Sequence, residues 1–187
     1  KLNNFVENAG EVMVASNLYS AADQYLNNSS LTLQSGKLHL NNNIISNDIV
    51  FKNLKGGSGE LHLDVDTYNS KADFITVENL SGTVNVVAHN VAAPQTKAAE
   101  KDNPISFAKV INSGGGAFKI FRVIDSVFDW TAKTETQSDN STDWTMEVIK
   151  QDDNKPVVVA ETAAYMGLNG AAFEQTRNLV RNVVEKT

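Results

Sequence analysis

Residues 59–90 read GELHLDVDTYNSKADFITVENLSGTVNVVAHN, and this stretch decides the fold. Leu61, Leu63 and Val65 alternate with His62, Asp64 and Asp66. A turn at Asn69-Ser70-Lys71 follows, then a second run from Phe74 to Val77. Asn79 to Gly82 turns again, and a third run spans Val84 to Val87. A period of two over four to six residues predicts half-buried β-strands. The same pattern recurs upstream in Leu31-Thr32-Leu33, Gly36-Lys37-Leu38-His39-Leu40 and Ile49-Val50-Phe51.

Two of these runs are near copies. Gly36-Lys37-Leu38-His39-Leu40 and Gly59-Glu60-Leu61-His62-Leu63 lie 23 positions apart. A repeat of about 20–25 residues is the size of one coil of a parallel β-helix. The turns between runs use asparagine (Asn27-Asn28, Asn41-Asn42-Asn43, Asn47, Asn53). Asparagine tolerates positive φ and bonds its own backbone in tight turns. Stacked coils predict inward columns, with Leu38 under Leu61 and Leu40 under Leu63, and Val65 extending the ladder. His39 and His62 then point outward together, and Asp64 and Asp66 share a solvated outer face. The alternative is a β-sandwich with coincidental similarity.

The polar stretch from Ala92 to Pro104 reads as an excursion from the stack, since strand pattern resumes at Ile105 to Ile111. Gly114-Gly115-Gly116 lead into the strand-like run Ala117 to Val123 rather than a helix, so a tight turn fits better than a phosphate cradle. Phe128-Asp129-Trp130-Thr131-Ala132 and Trp144-Thr145-Met146-Glu147-Val148 read as arms of an antiparallel hairpin across the polar turn Thr134–Thr142. Phe128, Trp130 and Ala132 would share a face with Trp144, Met146 and Val148. Both tryptophans of the chain sit here, and side chains of that size bury about 150–250 Å² each. Such a hairpin can seal the end of a solenoid, which otherwise exposes unpaired strand edges. From Ala171 to Thr187 the residues are helix formers. Leu179, Val180, Val183 and Val184 form one narrow stripe, and Arg177, Arg181, Glu174, Asn178 and Asn182 make the rest polar.

Composition narrows the function classes. Hydrophobic residues make up 41% of the 187. The net charge of −6 argues against nucleic acid as a partner, because phosphate binding needs a positive surface. There is no cysteine, which removes thiolate nucleophiles and thiolate metal sites. It suits a chain that crosses an oxidising compartment unfolded. The opening Leu2-Asn3-Asn4-Phe5-Val6 falls mid-pattern, as in a piece of a longer chain.

Several candidate sites are weighed against plainer roles. Asp64 and Asp66 have no basic partner nearby in their strand, as a polysaccharide-cleaving site would need. Asp152-Asp153-Asn154 reads as a turn before Lys155-Pro156 rather than a calcium site. His39, His62 and His89 could stack toward a metal, but no orienting carboxylate is evident for them. No Gly-x-Ser-x-Gly pattern occurs. No catalytic, cofactor or metal residue is assigned, and the chain reads as a non-enzyme. A polysaccharide-binding or polysaccharide-cleaving β-helix protein is the alternative.

The order of these segments resembles a family. Tyr25-Leu26-Asn27-Asn28-Ser29-Ser30-Leu31-Thr32-Leu33, then Lys71-Ala72-Asp73-Phe74-Ile75-Thr76-Val77 and Leu80-Ser81-Gly82-Thr83-Val84-Asn85-Val86, look like the C-terminal passenger region of bacterial type V autotransporters of the pertactin, AIDA and IcsA-like kind. Gly116-Ala117-Phe118 and Val127-Phe128-Asp129-Trp130, answered by Asp143-Trp144, resemble that family's autochaperone module, whose Gly-Ala-Tyr segment appears only loosely as Ser126-Val127-Phe128. The resemblance implies an all-β, right-handed parallel β-helix, capped by an antiparallel aromatic hairpin and followed by a C-terminal helix. It implies β-helix coils over 1–104, an autochaperone-like cap over 105–150, a linker over 151–170, and a helix over 171–187 that leads into a barrel pore. Phe118, Phe128, Trp130, Trp144 and Met146 would form the cap; Leu38, Leu40, Leu61, Leu63 and Val65 the core ladder; Arg177 and Arg181 the polar face of the pore helix. Implied partners are the chain's own outer-membrane barrel, its upstream passenger and the outer-membrane assembly machinery, with a host surface ligand of unknown identity. The implied place is the bacterial cell surface or outer membrane, or outside the cell after cleavage. The full passenger would be an adhesin or another virulence factor.

Overall fold

The computed structural model describes residues 5–8, 11–19, 26–45, 48–97, 99–112, 114–151 and 154–158. The proposed helix over 171–187, with Arg177 and Arg181, lies outside the described residues, as does most of the 151–170 linker.

The chain is all-β. Strands run over Phe5–Asn8 (β1), Glu11–Val14 (β2), Asn17–Tyr19 (β3), Ser29–Thr32 (β4), Lys37–His39 (β5), Asp48–Lys55 (β6) and Glu60–Asp66 (β7). They continue over Lys71–Ala72 (β8), Phe74–Ser81 (β9), Thr83–Asn90 (β10), Ile105–Asn112 (β11), Ala117–Ile124 (β12), Trp130–Thr136 (β13) and Thr142–Val148 (β14). A four-residue helix, Pro94–Lys97 (α1), lies in the polar excursion. The second alternating run is longer than its sequence pattern predicts. β9 continues through Asn79 to Ser81, and Gly82 at φ 64° makes the turn.

Two sheets share these strands. The first has the order β1-β2-β4-β6-β9-β11-β14-β13, the second β12-β10-β7-β5-β3, with β8 beside β7. From β4 to β12 the chain alternates between the sheets, and each strand pairs in parallel with the strand one pass earlier. Among the described residues the antiparallel strand pairs are β1–β2, the short β7–β8 pair, and the hairpin β13–β14 with its contact to β11, besides the isolated bridges Phe128–Val158 and Lys150–Pro156. An antiparallel pairing of the two near copies does not occur, because β5 and β7 run parallel with Leu38 opposite Leu61.

Register turns the sequence period into columns. Leu18, Leu38, Leu61, Val86 and Ile120 line up across the second sheet. Ile49, Ile75, Ala108 and Trp144 line up across the first. Leu38, Leu40, Leu61, Leu63 and Val65 are fully buried within one cluster that draws on both sheets. Burying a leucine or valine contributes about 1.5–3 kcal/mol, so the columns are the main source of cohesion. Polar side chains form a second kind of column. Asn112 donates to Asn79, Asn79 to Asn53, and Asn53 to Ser30, at 2.8–3.1 Å. Passes pack so closely that a methyl group on Gly56 would meet the Thr83 carbonyl oxygen at 2.0 Å. The 114–116 cluster is a turn, with Gly115 at φ 83° and Gly116 against the Leu80 backbone.

Two expectations about outer faces fail. Asp64 is buried, not solvated. The turn after β5 folds over it, and the Asn42 amide donates to its Oδ2 at 2.7 Å. Asp66 is half-buried, and its carboxylate accepts from the Tyr68 and Asn69 amides and closes the turn after β7. His62 stands beside His39, but it is 4% exposed because rings cover it on both sides.

Candidate functional site

The hairpin β13–β14 has the pairing expected of its alternating arms. Trp130 faces Val148, Ala132 faces Met146 and Thr134 faces Trp144. Trp130, Trp144, Met146 and Val148 are buried; Phe128 and Ala132 are half-buried against the core. Phe128 precedes β13 and forms an antiparallel bridge with Val158. Trp144 sits over Ala108, the smallest member of its column, which leaves room for the indole. Phe107 meets Phe118 edge-on at 5.5 Å, and Phe118 meets Trp144 edge-on at 5.3 Å. Edge-to-face pairs add about 0.5–1.5 kcal/mol beyond area burial. This aromatic chain ties β11, β12 and β14 together where parallel pairing gives way to antiparallel.

The polar excursion is fastened to this cap. Ser126 Oγ donates to the Glu100 carboxylate and accepts from Trp130 Nε1 at 2.8 Å. The Val127 amide donates to the other Glu100 oxygen at 2.9 Å. Lys101 lies 4.6 Å over the Tyr68 ring, and Asp102 pairs with Lys150 at 2.9 Å. Three consecutive side chains thus join the β7–β8 turn to the cap. None of the three was singled out from sequence, because the excursion has no periodicity that ties it to distant strands.

A second cluster lies on the outer side of the second sheet. The rings of Tyr19, His39, His62 and His89 form a column with centroid separations of 4.3, 4.4 and 5.2 Å; Tyr19 and His39 stack at 9°, and the two His–His pairs are tilted by 38° and 37°. Glu60 accepts from His62 Nε2 at 2.8 Å and pairs with Lys37 at 3.3 Å. Glu60, two positions before His62, supplies the orienting carboxylate that the sequence pattern does not predict. Because a carboxylate only accepts, His62 carries its proton on Nε2. Its Nδ1 then accepts from His89 Nε2, 2.9 Å away. His39 Nδ1 and Nε2 face the Oδ1 atoms of Asn41 and Asn17 at 3.2 and 3.3 Å, and a neutral imidazole donates to one of these two acceptors.

Burial sets the protonation of this column. It pushes the His62 imidazole down to about 4, against the Glu60 hydrogen bond and with help from His39 and His89. It also lowers His39 and His89. Burial works to raise the Glu60 carboxyl, but hydrogen bonds from His62 and Lys37 outweigh it and the net direction is down. Asp64 is raised by burial, against the amides of the 42–44 turn. Among the described residues no group of three or more His, Asp or Glu is placed to hold a metal ion.

The recurrence Asn17-Leu18-Tyr19, Lys37-Leu38-His39, Glu60-Leu61-His62 is the sequence signal that would have added Tyr19 to the column. No family model, curated protein or solved structure matches the chain.

Proposed function

We propose that this chain is a right-handed parallel β-helix stem closed by an autochaperone-like cap, and that it seeds the folding of a surface-displayed passenger during type V secretion. One observation carries the reading. The parallel order of the first sheet ends where β14 pairs antiparallel with β11, and the Phe107–Phe118–Trp144 cluster closes the core at that point. In a solenoid each coil touches only its neighbours, so folding can begin in one stable unit and propagate. A unit whose last strands pair locally as a hairpin forms with little loop-closure entropy. It then offers β9–β12 as a finished template for each earlier pass.

On this reading the partners are the chain's own outer-membrane barrel, its upstream passenger and the outer-membrane assembly machinery. The place of action is the bacterial surface, and the chain itself catalyses nothing. Passenger folding outside the cell opposes back-sliding, and the absence of cysteine keeps the translocating chain free of cross-links. Surface display of the longer protein with residues Phe118 to Val148 deleted tests the proposal. Loss of a folded, protease-resistant passenger is expected. Normal display and folding would leave only an inert stem.

A further inference from the structure

We propose that the Tyr19–His39–His62–His89 column is an acid-responsive seam: with neutral imidazoles it stitches β3, β5, β7 and β10 together, and on protonation it opens the second sheet locally. The inference is independent of any role in secretion.

Geometry carries the argument. Each ring belongs to a different strand, so ring contacts run across four neighbouring strands of the sheet, from β3 to β10. In the neutral column one polar chain runs from Glu60 through His62 to His89, each hydrogen placed between one donor and one acceptor. A proton added to His62 Nδ1 turns the bond around, because His89 must then carry its own proton on Nδ1 to accept. Once both rings are protonated, two N–H groups face each other and the bond is lost. Two imidazolium rings in contact, out of water, also repel.

The surrounding charges only partly offset this. From β5, Lys37 adds a positive charge, and from β12, Arg122 acts on His89 in the same sense. Glu60 on β7 is the carboxylate in hydrogen-bond contact, and Lys37 shares it. Asp64 on β7 and Asp125 after β12 favour the charged form of His89. Asp64 does not itself produce acid loosening. Its carboxyl is raised by burial, so the folded chain takes up that proton first.

The sign follows from linkage. The histidines are lowered in the folded chain relative to 6.5, so the unfolded chain binds protons first as pH falls. Their contribution is complete above 6.5 and is lost between 6.5 and the folded values, about 4 for His62. For His62 alone the opening equilibrium shifts by about 150-fold by pH 4, where the folded imidazole is itself half protonated.

The test is an NMR titration of the whole chain from pH 7.5 to 4, following imidazole resonances and amide exchange together. The expected result is that His62 and His89 titrate below the ordinary histidine range. Amides of β5, β7 and β10 should lose protection in step with them, while β6, β9 and β11 keep theirs. His62→Phe retains a ring but cannot titrate, and should flatten the pH response of β5 and β7. Imidazoles titrating at or above 6.5, both sheets losing protection as one unit, or an unchanged response in His62→Phe would each overturn the proposal. If His62→Phe does not fold, the titration of the unaltered chain decides alone.

Discussion

Phe118 meets Trp144 edge-on, with ring centroids 5.3 Å apart and planes at 83°. Phe118 belongs to β12, the last strand of the second sheet, and Trp144 to β14, which extends the first sheet in the opposite direction. Together with the Phe107–Phe118 pair, this contact closes the two sheets onto each other at the end of the parallel stack.

Trp144→Ala removes a buried indole and leaves a cavity over Ala108. A loss of about 3–5 kcal/mol is expected. Trp144→Phe should cost much less, about 1.5 kcal/mol or under, because the ring remains and a buried Nε1 with no hydrogen-bond partner is removed. Urea midpoints of the two variants check this. Equal midpoints would mean the ring does not seal the core.

Leu61→Ala interrupts the middle of the Leu18–Leu38–Leu61–Val86–Ile120 column. Since Leu61 is fully buried, about 2–5 kcal/mol should be lost. Amide exchange should quicken in β5 and β10 on either side, where the neighbouring side chains face the cavity. Confinement of the effect to β7 would contradict the column.

Glu100→Ala takes away both acceptors that hold Ser126 and the Val127 amide. A cost of about 1–3 kcal/mol is expected for the orphaned groups. Trp130, whose indole N–H rests on Ser126, should become more accessible to a fluorescence quencher. Quenching identical to the parent chain would show that the excursion does not position the cap.

Gly56→Ala places a methyl group 2.0 Å from the Thr83 carbonyl oxygen, a backbone atom that cannot move without displacing β10. Overpacking of this kind costs about 1–3 kcal/mol and forces the passes apart. Thermal melts of this variant beside Gly115→Ala, which has open space but a φ of 83°, would separate steric contact from backbone strain. Gly56→Ala is expected to be the worse, and equal melts would refute close stacking there.

The particular residues explain what the sequence made legible. Leu38 and Leu61 could be paired because the five-residue copies around them repeat one pass, including its turn glycine. The same copies placed His39 beside His62. His89 was harder: in register it lies opposite Asp64, and Val87 opposite His62, so its ring reaches back across the strand in a way that spacing does not encode. Asp64 was misread because alternation reports which side of a strand a residue takes, not what a neighbouring turn lays over that side. Glu100 was invisible for a related reason. Its partners lie 26 and 27 positions away, beyond the reach of local pattern.

The central claim is that the capped end folds first and templates the rest. Pulse-labelled hydrogen exchange during refolding of this chain tests it most directly. The account predicts that amides of β11, β12, β13 and β14 gain protection first, followed by β9 and β10, then β7 and β6, with β4 and β5 last. Protection that begins at β4–β7, or appears in all strands at once, would contradict it.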